Sequence, residues 1–284
     1  MLPLLSRGVI DRAAHRRTDE AWLAAAWRSS RVLVMDTDGR VPVDDAGGLR
    51  LLDPGDVPAG ERWFLGQDAD GTPYFAVHAE VGASSSTLRE LALDLSDADA
   101  ELVSTALALV NWHASHVYSP VTGTPAVTTH AGWVRSPEGG GPSMFPRTDP
   151  AMIVLVTDGG DQCLLARGAG RPANWYSCLA GFVEPGESAE ACVAREVQEE
   201  VGLAVRDITY VVSQPWPFPA SLMLGFYAVA DPADPIQRDP GEIADARWFT
   251  RAELRDALEG RSPDMATPGA ISVAHHLMSG WAYR

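Results

Sequence analysis

Three glutamates, Glu196, Glu199 and Glu200, crowd the later part of the segment GFVEPGESAEACVAREVQEEVGL, which runs from Gly181 to Leu203. On a helix turning about 100° per residue they fall within an arc of roughly 100°. Val193, Ala194, Val197 and Val201 fill the adjoining sector, so the carboxylates stand at the edge of buried surface. Like charges four residues apart repel. No Lys or Arg follows in the helix to pair with them, and they lie at the end where the helix dipole disfavours negative charge. Hard divalent cations, which prefer oxygen ligands, would offset all three penalties. A solvated acidic face is the usual fate of a glutamate run, and these residues by themselves leave both readings open.

A second stretch, SQPWPFPAS, runs from Ser213 to Ser221. Its prolines make a rigid loop, and the simplest role for Trp216 and Phe218 is to plug a core.

The elements that must position these groups read clearly from Ala151 onward. AMIVLVT and QCLLAR are strands separated by DGGD, a hairpin signal. YSCLAGFV is a further strand, and EPGES a loop that ends at a helix start capped by Ser188. The helix carrying the glutamates then spans Ser188 to Val201 and stops at Gly202. ITYVVSQ, LMLGFYAVA and ARWF supply more strands, and RAELRDALEG and AISVAHHLMSGW two more helices. The mixture predicts an α/β sandwich over residues 150–284. Ahead of it, RVLVM, RWFLG and YFAVHAEV alternate with turn residues and predict a small β-rich domain over 1–105. DADAELVSTALALVNWHASH has helical periodicity after an Asp cap. With the loop-rich stretch behind it, this forms a connector over 106–149.

Composition narrows the function classes. A chain of 284 residues can hold one large or two modest domains, and 46% hydrophobic with 21% charged residues is ordinary for a soluble globular protein. All 22 basic residues are Arg, which removes lysine chemistry such as a Schiff base or a phosphate-binding lysine. A net charge of −16 opposes binding to long nucleic acids but suits a carboxylate-rich site that receives an anionic substrate as its metal complex. Cys163, Cys178 and Cys192 lie in no CxxC pair, so neither a disulfide framework nor a thiolate zinc site is expected. No apolar run approaches the roughly 18 to 20 residues that cross a bilayer, so no membrane association is expected. MLPLLSR is too short for a signal peptide, and Asp11, Asp19 and Glu20 argue against reading the Arg-rich segment behind it as a mitochondrial presequence. A cytoplasmic protein is the expectation.

Gly181, Glu187, Arg195, Glu196, Val197, Glu199, Glu200, Gly202 and Leu203 together resemble a complete Nudix box. SQPWPFPAS resembles the SQPWPFPxS signature of the NADH pyrophosphatase (NAD diphosphatase) family of Nudix hydrolases, with Ala220 at the variable position. FPRTDPA, LAGFVEPGE, DPGEIADARWF and AISVAHHL are similar to other segments of that family. The resemblance implies an α+β protein, in which a Nudix α/β/α sandwich is preceded by a small β-rich N-terminal domain and a degenerate zinc-ribbon-like connector. It implies hydrolysis of NADH or NAD⁺ at the pyrophosphate with Mg²⁺ or Mn²⁺, giving nicotinamide mononucleotide and AMP. Cations bridging the pyrophosphate oxygens would neutralise their charge and activate a bound water.

By the same resemblance Glu196, Glu199, Glu200 and Glu242 hold the metal, with the carbonyl of Ala180 completing its shell. Glu199 and Glu200 are also candidates for the base, while Arg195 and Glu187 brace the loop and helix. The substrate would meet Gln214, Pro215, Trp216, Pro217, Phe218, Pro219, Ala220 and Ser221, whose preorganised backbone can receive a planar base at low entropic cost. Phe182 would stack on the nicotinamide, and Phe145, from the other subunit of a homodimer, would face it. Arg89 and Ala274 would line the site.

The sequence departs from the family in one place. The two CxxC pairs of its zinc ribbon are represented by Ser119 and Thr122, and by the SPEGGG stretch, so no structural zinc is expected. His113, His116 and His130 lie nearby and are read as surface histidines rather than as substitute ligands. Two other activities stay open: removal of NAD caps from RNA 5′ ends, and a broader ADP-ribose or dinucleotide pyrophosphatase. A catalytically silent nucleotide-binding module is the alternative of a different class.

Overall fold

The run AMIVLV, residues 151–156, is apolar at every position because the strand it forms is covered on both faces. That strand belongs to the second of two units in the computed structural model, which describes residues 2–284. Leu4–Thr148 with Pro215–Ala220 make one unit; Asp149–Gln214 with Ser221–Arg284 make the other.

The first unit opens with helix α1 (Glu20–Trp27), capped by the Asp19 carboxylate, which accepts from the N–H of Trp22. Strands β1 (Arg31–Met35), β2 (Arg40–Pro42), β3 (Glu61–Gln67), β4 (Pro73–His78) and β5 (Ser85–Thr87) follow. β1, β4 and β3 make a sheet in that order, β1 parallel and β3 antiparallel to β4, while β2 pairs with β5. Phe64 and Phe75 of this sheet meet Trp22 and Trp27 of α1 edge-on, with ring centres 5.3 Å apart in each pair.

Helix α2 (Leu88–Leu91) leads to α3 (Asp97–Ser115), a long helix whose apolar side chains are largely buried. Its cap is Ser96 rather than an Asp, the hydroxyl accepting from the N–H of Asp99. Asp97 and Asp99 instead occupy the first turn, where the dipole favours negative charge.

Strands β6 (Ala126–Thr129) and β7 (Val134–Pro137) form an antiparallel pair in the connector. Hydrogen bonds organise the turns on which the family's zinc ligands would stand. Ser119, 2% exposed, accepts through Oγ from the N–H groups of Val121 and Thr122 at 3.3 and 3.2 Å. The N–H of Gly123 donates to the Ser119 carbonyl, and the hydroxyls of Thr122 and Thr124 lie 2.7 Å apart. The backbone of Gly141, in the stretch replacing the second pair, packs against the Thr122 methyl.

The histidine reading needs correction at His113, which is buried and stacks on Trp63 at 4.5 Å. Its Nδ1 lies 3.0 Å from an Arg135 guanidinium nitrogen, which can only donate, so the ring hydrogen is on Nε2 and reaches the Gly132 carbonyl at 2.9 Å. Burial lowers its pKa. A neutral histidine serves here as a core hydrogen-bonding group. His130 is exposed, as expected, and His116 folds back toward the Trp112 carbonyl.

In the second unit, β8 (Asp149–Thr157), β9 (Gln162–Gly168), β10 (Leu179–Phe182), β11 (Arg206–Trp216), β12 (Ser221–Val229) and β13 (Ile243–Thr250) build a six-stranded mixed sheet. Its order is β11-β12-β8-β9-β13, with β10 also paired to β8. β12 runs parallel to β8, while β9 and β10 run antiparallel to it. Along β8 the side chains alternate between two cores. Met152, Val154 and Val156 pack with Val193, Val197 and Val201 of α4 (Ala189–Val201). Ile153 and Leu155 pack with Leu254 of α5 (Arg251–Leu258) and Leu277 of α6 (Val273–Ala282). The sheet between α4 and the α5–α6 pair is the expected α/β/α sandwich. Among the described residues no helix is long and apolar enough to cross a membrane.

Candidate active site

Helix α4 starts and stops where its sequence predicts. The Ser188 hydroxyl accepts from the N–H of Ala191 at 3.1 Å, and Gly202 ends the helix at φ 72°, a left-handed conformation that glycine adopts without strain. Carbonyls in the last turn of α4 are met by the loop between β12 and β13: the N–H of Gln237 donates to Val201 and that of Asp239 to Glu200, at 2.8 and 3.1 Å. This docking brings Glu242 into the electrostatic neighbourhood of the α4 acids.

No basic residue follows the glutamates in the helix, but one precedes them and pairs with them. Arg195 grips Glu187 through Nε and Nη2 at 2.8 and 2.9 Å, a two-pronged contact that only a guanidinium can make. Its Nη1 reaches Glu196 at 2.9 Å and Glu199 at 3.0 Å, and Nη2 also donates to the Phe182 carbonyl at 3.0 Å. One side chain thereby ties the loop ahead of α4, the helix and the end of β10 together. The Arg195 hydrogen bonds, helped by the Glu184 N–H, hold the Glu187 carboxyl down to about 2. Gly181 is required by close approach: a Cβ there would stand 2.0 Å from the Glu196 carboxyl carbon.

Glu200 is the exception within the cluster. It is 8% exposed, and its Oε2 is buried with no hydrogen-bond partner. Burial first, then the charges of Glu196, Glu242 and Glu199, push its carboxyl up to about 8. Among the described residues no three acidic, imidazole or thiol groups converge as a ready-made ion site, since Glu196 and Glu199 turn toward Arg195. The donor set nonetheless fits a hard divalent cation: an unpartnered buried carboxylate oxygen, with three further carboxylates raising the cost of its charge. Ala180 is exposed on β10 next to Gly181, which the Glu196 carboxyl approaches, and Phe182, two residues on, is 60% exposed.

The remaining expected residues divide by unit. In the second unit Gln214 and Ala274 are buried. The Gln214 amide donates to the Ile271 carbonyl at 3.0 Å, and the Ala274 methyl lies in the core beneath α6. Neither side chain presents a surface to a ligand. In the first unit Phe145 is 68% exposed. Trp216 and Phe218 are only half-buried, which overturns the core-plug reading of their loop. They meet edge-on at 4.9 Å, and the N–H of Phe218 donates to the Trp216 carbonyl at 2.7 Å. The Arg89 guanidinium lies 3.7 Å from the Phe218 ring centre and 4.9 Å from that of Trp216. Pro215 and Pro219 are exposed, Pro217 is buried, and Ala220 returns the chain to Ser221 at the start of β12.

Sequence reasoning missed Asn111, whose side chain donates to two carbonyls of this loop. The available signal was one amide side chain in the otherwise apolar stretch ALALVNW of α3.

A NUDIX domain model matches residues 147–267. The NAD-capped RNA hydrolase NudC of Mycobacterium bovis (strain BCG / Pasteur 1173P2) is 44% identical over 299 aligned positions, covering 99% of this chain and 95% of its own. The NAD-capped RNA hydrolase NUDT12 of Homo sapiens is 37% identical, over 66% of this chain and 43% of its own. Among solved structures, a NUDIX hydrolase from Nitrosomonas europaea aligns with 58% of this chain and 90% of its own, at 21% identity and a TM-score of 0.41.

Proposed function

This chain belongs to the Nudix family, and from that premise we propose that it hydrolyses the pyrophosphate bond of NADH or NAD⁺, releasing reduced or oxidised nicotinamide mononucleotide and AMP. The observation that carries the chemistry is Glu200, a buried carboxyl with an unpartnered oxygen amid three other carboxylates. Glu196, Glu199, Glu200 and Glu242, with the carbonyl of Ala180, would hold Mg²⁺ or Mn²⁺. Bound there, the cation supplies neutralisation of the pyrophosphate oxygens and a lowered pKa for a coordinated water.

The chain's own residues supply position and proton transfer. In this reading Glu199 and Glu200 are the candidates to take the proton of the attacking water. Arg195 and Glu187 fix the loop and the first half of α4, so that the carboxylates keep their register. The exposed rings of Phe182 and of Phe145, the latter from a second copy of the chain in a homodimer, are free to sandwich a nicotinamide. The Pro215–Ala220 loop offers a half-buried aromatic pair for recognition of the dinucleotide. We place the protein in the cytoplasm, where NADH and NAD⁺ are available.

Removal of NAD caps from RNA is the second reading, favoured by the names of the relatives. The reacting bond is the same. A net charge of −16 argues that the cap, rather than the RNA body, supplies the affinity. A broader ADP-ribose or dinucleotide pyrophosphatase is expected only if the Pro-rich loop does not touch substrate.

Glu200→Gln tests the proposal against a silent binding module. Turnover should fall by about 10²- to 10⁴-fold, the range of a lost general base, while circular dichroism and melting temperature show an intact fold. Unchanged turnover would remove Glu200 from the chemistry.

A further inference from the structure

The Pro-rich loop has a fastening problem that its sequence creates. Proline has no N–H, so Pro215–Pro219 can donate only from Trp216 and Phe218, and the Phe218 N–H is spent within the loop on the Trp216 carbonyl. A segment so short of donors has to be held from outside, through its carbonyls. Asn111, near the end of α3, meets that need: its Nδ2 lies 3.0 Å from the Pro217 carbonyl and 3.0 Å from the Pro219 carbonyl. The two carbonyls flank Phe218, so one side-chain amide with two hydrogens brackets the residue whose ring faces Arg89. Asn111, Arg89 and Phe218 also line a common cleft of about 340 Å³, entirely within the first unit.

We infer that Asn111 is a positioning residue that sets substrate preference, by fixing through its two hydrogen bonds the orientation in which the Phe218 and Trp216 rings are offered. The inference rests on the reading that this loop receives the dinucleotide. Asn111 sits on α3 and is none of the acidic groups assigned to the chemistry, so its contribution is to binding discrimination rather than to bond cleavage.

The test compares steady-state kinetics on NADH and on ADP-ribose for Asn111→Asp, Asn111→Ala and Phe218→Ala. Aspartate keeps the size of asparagine but has no hydrogen to donate and sets oxygen against oxygen at both carbonyls. Loss of two hydrogen bonds predicts a rise in KM for NADH of about tenfold in Asn111→Asp and Asn111→Ala, with kcat changed less than about twofold. The preference for NADH over ADP-ribose shrinks by a similar factor. If Phe218→Ala loses that preference while both Asn111 variants keep it, the inference fails and the loop reading stands. If Phe218→Ala also keeps it, the loop is not a recognition element and both fail. A lowered melting temperature with an unaltered preference in the Asn111 variants would make Asn111 a structural tether only, and would overturn the inference.

Discussion

Arg195 and Glu200 show how the same acidic cluster distributes its charge unequally. Arg195 satisfies Glu187, Glu196 and Glu199, so the helix tolerates their repulsion. Glu200 turns into the low-dielectric side and has no such partner. The spacing of the acids was legible in the sequence, as were Ser188 and Gly202 at the ends of α4. The brace followed only from the family resemblance and not from the helix pattern, because looking along the helix after the glutamates overlooks a residue immediately before them. Its link to Glu187 also closes a loop that helical periodicity does not describe. The brace has a pH signature. Glu187 is depressed from 4.5 to about 2, so its contribution to stability is complete above pH 4.5 and is lost as pH falls from there through about 2. Urea unfolding as a function of pH should therefore show a steep acid limb in the wild type, flattened over that interval in Glu187→Gln. An identical limb in both proteins would mean that the Arg195 contact does not persist in solution.

Strands and helices of the second unit followed from pattern where they bury a regular face: β8 alternates between two cores, and α4 turns one sector inward. Less regular contacts were not legible. Pro217 is fastened by a side chain 106 residues earlier in the chain, and no local spacing announces such a contact. The cap of α3 was misplaced by one position because Ser96 and Asp97 are both competent caps, and the dipole accommodates the Asp just inside. In the connector, absent cysteines indicated what would not hold the turn, but not what would. The structure answers with Ser119, whose buried hydroxyl accepts from two backbone N–H groups. Ser119→Ala should cost about 1 kcal/mol, the usual effect of removing a hydroxyl that caps backbone donors. Thermal melts with and without a strong zinc chelator should coincide for the wild type. A chelator-induced fall in melting temperature would reveal a metal that the turn chemistry does not need.

Over the whole molecule, the absence of lysine and the charge of −16 shape how an anionic substrate is received. Many of the arginines are engaged internally, in ion pairs or against aromatic rings, as Arg195 and Arg89 are. The surface offers little to a long polyanion, so a small dinucleotide, screened by its cation, is the substrate best matched to this charge. On this reading a phosphate-cleaving carboxylate cluster and a dinucleotide-selective loop act in one protein. Product analysis tests it most directly: purified protein with Mg²⁺ or Mn²⁺, incubated separately with NADH, NAD⁺, ADP-ribose, diadenosine polyphosphates and NAD-capped RNA, with the products separated by chromatography. The expected products from NADH are reduced nicotinamide mononucleotide and AMP, formed faster than ADP-ribose or the diadenosine polyphosphates are cleaved. A preference for ADP-ribose, or no cleavage of any substrate with either metal, would contradict it.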